Sequence, residues 1–304
     1  MSGRRIPVSV LAILICGSSL TICDMASGQT PGPKAPIMPP LSQYEALPSP
    51  PLQTRGLSPA TQQAVELALR DAAQGNKKAA DAERVIEAAK RAADRGRDAA
   101  RGTQARRRGP GILEISFDGR RCRYSGEIVR GRATGMGVMT CRDRTLAGAF
   151  RDNRPDGLIV EELPRTGYIG AYRNGMRDGL GGDYRAGEFD GYEGEYKSGA
   201  RFGFGVERDK DGAYPGRYGF YVDPRDVRHR VNMELSGVQN FRTTHWAGTF
   251  GAYAGPRIAC TLIKGALLEG SVLDGFGAKF DAKGRVIERG QYAVGILNGG
   301  GPPC

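Results

Sequence analysis

The chain runs to 304 residues, 39% of them hydrophobic, enough for one or two folded domains. Its 46 glycines exceed what an average globular chain carries, so an unusual backbone is expected somewhere. The formal charge of +11 favours acidic partners or surfaces and says nothing about fold, while two histidines without any Cys-x-x-Cys spacing leave zinc without a ligand set.

Residues 1–28 read as a secretory signal: Arg4 and Arg5 form the charged start, residues 8–22 the apolar stretch, and Ala26-Ser27-Gly28 a cleavage site. This predicts a secreted or periplasmic protein cut near Gly28. The alternative is an uncleaved N-terminal membrane anchor. A lipidation box at Leu20-Thr21-Ile22-Cys23 ranks below cleavage, because Ile22 is too bulky before the cysteine. Residues 29–54 are crowded with proline, including Pro39-Pro40 and Pro50-Pro51, and read as a disordered, polyproline-like spacer.

Residues 55–108 turn basic and alanine-rich, a helical composition. Ser58 followed by Pro59 reads as an N-cap with proline at the first helical position. Gly75-Asn76 is expected to break the run into two helices. Ala82, Val85, Ile86, Ala89 and Ala93 form a narrow apolar stripe, suited to pairing with the helix of another chain, with covering an open sheet edge of the following domain as the competing reading. The segment holds 13 Lys or Arg against 7 Asp or Glu. Arg106, Arg107 and Arg108 close it, either as a solvated helix end or as an anionic-surface contact.

From Tyr124 onward a pattern recurs. Tyr192, Gly194, Tyr196, Gly199, Gly203 and Gly205 place an aromatic at 0, Gly at +2, an aromatic at +4, and Gly at +7, +11 and +13. Tyr168, Gly170, Tyr172, Gly175, Gly179 and Gly181 repeat all six positions. Tyr124 matches five through Gly126, Gly131, Gly135 and Gly137, with Ile128 in the second aromatic slot. Glu288 fills position 0 of another copy, followed by Gly290, Tyr292, Gly295, Gly299 and Gly301. Weaker copies start at Leu146, Tyr214, Trp246 and Leu268, and the starts step by 22, 22, 24, 22, 32, 22 and 20 residues. Positions 0, +2 and +4 share one face of a strand, +7 suits a turn with positive φ, and +11 with +13 opens the return strand. Each unit is therefore one β-hairpin, and stacking buries its aromatic face. The glycine between two rings is expected to admit a ring from the neighbouring hairpin.

These residues resemble the MORN (membrane occupation and recognition nexus) repeat over about residues 119–304. The resemblance implies a mainly β fold: an extended, single-layer antiparallel sheet of stacked hairpins over 109–304, behind the helical segment and the spacer. It implies scaffolding, self-association or contact with phospholipid surfaces. The step of 32 leaves extra residues around 219–245, including Arg225, Arg228, His229 and Arg230. They read as a connecting loop with a short strand at 231–235, or as a basic protrusion that contacts an anionic surface.

With the signal removed, Cys122, Cys141, Cys260 and Cys304 remain, an even number in an oxidising compartment. The hairpin places Cys122 and Cys141 on facing strands, which leaves Cys260 to pair with Cys304. Catalytic signals are missing: His229 and His245 have no metal-ligand partner at helical spacing, and Ser236 lacks the preceding glycine of a nucleophile elbow. The expectation is a non-enzymatic scaffold, without cofactor, nucleic acid or small-molecule substrate. It binds a protein partner or itself through the face opposite the rings, the face that carries Ile169, Arg173, Glu193, Glu195 and Lys197. The alternative is a module for anionic phospholipid or an anionic envelope polymer.

Overall fold

Each repeat folds as one hairpin because its glycines sit where the chain must bend or lie flat. The computed structural model describes residues 51–105, 111–185, 191–209, 212–223, 226–241, 244–253, 270–293 and 296–297. Among the described residues one helix, α1 (Pro59–Ala105), precedes fifteen strands that pair in sequence order as one antiparallel meander. The regular units are β2 (Arg120–Val129) with β3 (Arg132–Thr140), β4 (Thr145–Arg151) with β5 (Arg154–Glu162), β6 (Thr166–Arg173) with β7 (Met176–Arg185), and β8 (Gly191–Lys197) with β9 (Ala200–Arg208). The edge strand β1 (Ile112–Phe117) pairs with β2. Beyond β9 come β10 (Gly212–Asp223), β11 (Asp226–Phe241), β12 (Thr244–Tyr253), β13 (Gly270–Asp281), β14 (Val286–Ala293) and the two-residue β15 (Ile296–Leu297).

The ladder register explains the glycine spacing. Gly126 pairs with Gly137, Gly170 with Gly181, and Gly194 with Gly205, so +2 and +13 face each other inside a hairpin. Between hairpins Gly137 faces Gly148, Gly181 faces Gly194, and Gly205 faces Gly216. The row continues through Gly237, Gly248, Gly277 and Gly290, and Ile159 is its one interruption from β2 to β14. The ring that fills this space belongs to the same hairpin, contrary to the expectation of a neighbour's ring. A Cβ at Gly137 or Gly205 would collide with the hydroxyl end of Tyr124 or Tyr192, the tyrosine at position 0.

Beside each seat the register slips between +2 and +4, a bulge at +3. The bulged carbonyl is then satisfied by the same tyrosine: Tyr124 donates to Glu127 O at 3.0 Å, Tyr168 to Ala171 O at 2.9 Å, and Tyr192 to Glu195 O at 3.3 Å. On the return strand +11 takes positive φ, as at Gly135 (95°), Gly179 (112°) and Gly203 (82°), where a side chain would be strained.

Two expectations about the later repeats change. The described residues of 219–235 are not a loop: 219–223 of β10 and 226–235 of β11 belong to one lengthened hairpin. The stretch assigned to a separate copy at Leu268 is instead the return strand of the Trp246 hairpin, since Gly248 pairs with Gly277. Leu268 itself lies outside the described residues, as do residues 1–50, Arg106, Arg107, Arg108, Arg225, Cys260 and Cys304. The last part of the proline stretch is seated on the sheet, with Gln53 N donating to Gly284 O at 2.9 Å.

The helical segment departs most from expectation. Thr61 N donates to Ser58 Oγ at 3.3 Å, so the cap is as read, but α1 then runs unbroken for 47 residues through Gly75-Asn76. It also packs on its own sheet. Ile86, Ala89 and Ala93 meet Ala147, Val160 and Ile169, and Val65, Ala68 and Ala72 meet Val238, Ala247 and Ala278. The sheet positions are +1 and +14, which form a row beside the glycines on the face away from the rings. Thr61, Val65, Ala68, Ala72, Gly75, Ala79, Ala82, Ile86, Ala89, Ala93, Gly96 and Ala100 are all buried, alternating steps of four and three.

That spacing is a match of two lengths. Seven helical residues advance about 10.5 Å, and one hairpin, two strands wide, advances about 9.6 Å. One heptad therefore serves one hairpin. A Cβ on Gly75 would lie 2.5 Å from Gly205 O, and one on Gly96 would lie 2.5 Å from Gly137 O, three heptads and three hairpins further along. Glycine at 75 admits backbone contact with the sheet, which outweighs its poor helix propensity.

Gly75→Ala should cost about 1–3 kcal/mol despite alanine's higher propensity, because the clash is with backbone. Gly102, exposed on the same helix with nothing within 4 Å of its Cβ position, should gain about 1 kcal/mol as alanine. Urea unfolding of both variants checks this; gains at both positions would remove the close approach.

Candidate binding surface

The rings form a continuous layer on the face away from α1. Tyr168 packs edge-to-face on Tyr172 at 5.5 Å and on Tyr196 of the next hairpin at 4.9 Å. Tyr192 repeats this with Tyr196 at 5.4 Å and Tyr218 at 4.9 Å, and Tyr124 with Phe150 at 5.0 Å. Such pairs add about 0.5–1.5 kcal/mol each beyond their buried area.

A polar unit overlays this layer and spans two repeats. Glu161 accepts from Tyr172 Oη (2.7 Å), from Arg177 Nη2 (2.7 Å) and from Arg144 Nη1 (3.2 Å). One hairpin on, Asp183 accepts from Tyr196 Oη at 2.8 Å and from Arg201 through both Nε and Nη2. The two arginines lie over Tyr168 and Tyr192, at 4.8 and 5.1 Å from the ring centres. Burial pushes the Asp183 carboxyl up, but Arg201 and the Tyr196 hydroxyl outweigh it and hold it below the ordinary range. At the first repeat the equivalent places hold Met139, Phe150 and Pro155, an apolar version of the same unit.

The unit changes again at the lengthened hairpin. There the Gly216–Gly237 pair is covered by the carboxyl of Glu234 rather than by a position-0 tyrosine. Gln239 Nε2 donates to Glu234 at 3.0 Å, yet burial dominates and pushes this acid up to about 8, with Glu207 adding to the rise.

An open cleft of about 660 Å³ lies where the β1–β2 turn approaches the turns of later hairpins. Its floor is Glu161 with Tyr172, Arg144 and Arg177, and its walls include Phe117, Asn153 and Asn174. The floor charges are committed to one another, two guanidinium groups on one carboxylate. His245 is buried and bonded to Asn240 Oδ1 at 2.9 Å, with burial lowering its pKa. Ser236 donates to Asp71 of α1, and His229 lies on β11.

The sequence-selected tyrosines from Tyr124 to Tyr196 come together as one layer; the glycine row continues to Gly290, while Tyr292 of β14 packs in a separate cluster with Phe250. The residues expected on an exposed opposite face divide. Glu193 is 2% and Ile169 7% exposed beneath α1, and Glu195 pairs with Lys78 of the helix at 3.1 Å. Lys197 and Arg173 remain exposed. The correction follows from α1, which occupies that face. Arg228 and Arg230 lie on β11.

Cys122 and Cys141 form a disulfide across β2 and the end of β3, with Cα atoms 4.2 Å apart. The partner pairing, Cys260 with Cys304, lies outside the described residues.

A meander in which the units of Tyr124, Tyr168 and Tyr192 each seat their own tyrosine over a glycine pair defines a hairpin-repeat protein. The MORN repeat family model matches residues 124–145, 168–181 and 192–214, so the hairpins of Tyr124, Tyr168 and Tyr192 are MORN repeats. Comparison with curated proteins finds no match. The hairpins at Leu146 and Trp246 fall outside those matches, yet their ladders keep the same register. Sequence reasoning missed the Glu161–Tyr172–Arg177 and Asp183–Tyr196–Arg201 units; the signal was an acid at +15 followed in the next repeat by Tyr at +4 and Arg at +9.

Reduction of Cys122–Cys141, which closes a loop of 19 residues' separation, should cost about 3 kcal/mol. Denaturant midpoints with and without reductant measure it, and an unchanged midpoint would count against a structural role.

Glu234 holds its proton more tightly folded than unfolded. Its stabilisation is complete below about pH 4.5 and declines until the pH passes about 8, a span worth on the order of 5 kcal/mol. Glu234→Gln should therefore be more stable than the parent at pH 8–9 and show a flatter profile below it. Parallel profiles for parent and variant, followed by thermal melts across this range, would show that Glu234 does not titrate there.

Proposed function

We propose that this protein is a non-enzymatic scaffold that binds a protein partner, or another copy of itself, through the ring-layer side and turn edge of its sheet. MORN repeats generally serve as protein- or membrane-binding scaffolds. The observation that carries the reading is repetition: the ring layer and its acid–tyrosine–arginine units recur from hairpin to hairpin, distributing contact area instead of converging reactive groups. With α1 over the opposite face, partner contact moves to the turn edge. Val129, Met176 and Phe202 stand exposed beside the turns at 130–131, 174–175 and 198–199, with Lys197 over the Phe202 ring.

The protein acts outside the cytoplasm, secreted or periplasmic after cleavage near Gly28, or held at the membrane if that segment is retained. The Cys122–Cys141 bridge supports an oxidising compartment. The second reading is an anionic phospholipid or envelope-polymer surface. It draws support from the exposed arginines Arg121, Arg123, Arg130, Arg142, Arg154 and Arg165 around the first hairpins.

Cross-linking and capture with mature protein from the envelope fraction should yield a partner whose retention survives high salt and is lost in the Met176→Asp, Phe202→Asp double variant. Retention of anionic vesicles alone, falling steeply with salt and indifferent to that variant, would replace the protein-scaffold reading with the second one.

A further inference from the structure

The seam between α1 and the sheet is tight in geometry but poor in apolar area. Of the buried helix positions that alternate by four and three, only Val65 and Ile86 carry large apolar side chains; the rest are Ala, Gly and Thr. Four polar ties supplement the contact. Ser236 bonds Asp71, Lys78 pairs with Glu195 at 3.1 Å, Arg97 pairs with Glu162 at 2.9 Å, and Ser125 donates to Ala100 O at 3.3 Å.

Between the Lys78 and Arg97 ties the seam holds a poorly matched charge pair. Glu193 of β8 points at α1 and is 2% exposed. It fits because its neighbour across the ladder is Gly182: a Cβ there would meet Ile86 Cδ1 at 3.0 Å and Glu193 Cγ at 3.2 Å. The nearest cation is Arg208 of β9, with Nη1 3.8 Å from Glu193 Oε2. That distance is an ion pair without a hydrogen bond, and Glu193 Oε2, Arg208 Nη1 and Arg208 Nε make none. From the helix side the charged groups acting on Glu193 are Glu83 and Lys90, of opposite sign. A buried carboxylate so placed has lost water and gained little in return.

We propose that α1 is a releasable cover on the sheet, seated while Glu193 is protonated and loosened when Glu193 ionises, so that the row containing Ala147, Val160, Ile169 and Val206 is uncovered as pH rises. The direction follows from linkage. Burial, the largest cause, raises the folded-state value to about 7, against the attraction of Arg208, and Arg208 is itself pushed down by burial. When the helix lifts, Glu193 meets water and returns to its ordinary value of 4.5. The seated state thus binds the proton more tightly, and its advantage is lost as pH climbs from 4.5 through 7. Lys78–Glu195 and Arg97–Glu162 flank the site and keep the helix in register while its middle opens.

Hydrogen exchange on the full chain tests this, with intrinsic rates divided out at each pH. The opening equilibrium of amides within 79–96 should rise toward pH 7 and then level, by up to about 300-fold, which is the 4.5-to-7 interval expressed as an equilibrium constant. Amides of β6 to β8 should not follow, and Glu193→Gln should remove the rise while preserving the fold. A carboxyl titration of Glu193 by carbon NMR gives the independent reading, expected near 7. An equal pH slope in Glu193→Gln, opening of helix and strands together, or titration of Glu193 near 4.5 would each overturn the proposal.

Discussion

The structure depends on a tyrosine lying flat on bare backbone. A ring can occupy that position only if both residues beneath it lack a Cβ, which is why +2 and +13 are glycine in the hairpins of Tyr124, Tyr168 and Tyr192, and where Ile159 stands at +13 position 0 is Leu146. The hydroxyl then reaches the bulged carbonyl at +3, and the bulge demands positive φ at +11. One contact thus fixes four positions of the repeat. Removing the hydroxyl would leave a buried carbonyl unsatisfied, and removing either glycine would displace the ring on which the next hairpin's tyrosine packs.

The two faces use this backbone differently. On the ring side, cohesion passes between hairpins through edge-to-face contacts and through carboxylates that bind the next repeat's tyrosine and arginine. On the other side little projects, because most residues at +1 and +14 are no larger than valine, and a helix can approach the sheet backbone itself. The hairpins therefore do not stand alone as a single layer. The helix gives thirteen successive strands a common second contact, reaching from Ser125 on β2 to β14.

How much of this was legible depended on distance along the chain. Tyr192, Gly194 and Gly205 lie within one unit and repeat with it, so the hairpin and its buried ring face could be read directly. The Cys122–Cys141 bridge followed from the same hairpin. The Glu161–Tyr172–Arg177 unit straddles two repeats and shows only when the ladder between them is known. The row of Ser125, Ala147, Ile169 and Glu193 shares no residue type, only the property of fitting beneath a helix, so it gave no motif. Gly75 misled because a local rule, that glycine ends helices, was overruled by a tertiary contact that only glycine permits. The buried face was taken for a free one for the same reason: amphipathicity in α1 is written in alanine, which reads weakly as apolar.

The pairing of one heptad with one hairpin makes the helix a ruler for the array. In most repeat proteins a unit can be duplicated or deleted at small cost, since each touches only its neighbours. Here a new hairpin shifts every later strand by about 9.6 Å, and the helix stays in register only if about seven residues enter it as well. The two scales differ by roughly 0.9 Å per unit, so the mismatch reaches about one helical turn after six hairpins. An array of this length sits near the point where a straight helix and a stacked sheet fall out of step. Growth by simple duplication is closed to it, and its number of repeats is set by a segment that contains none.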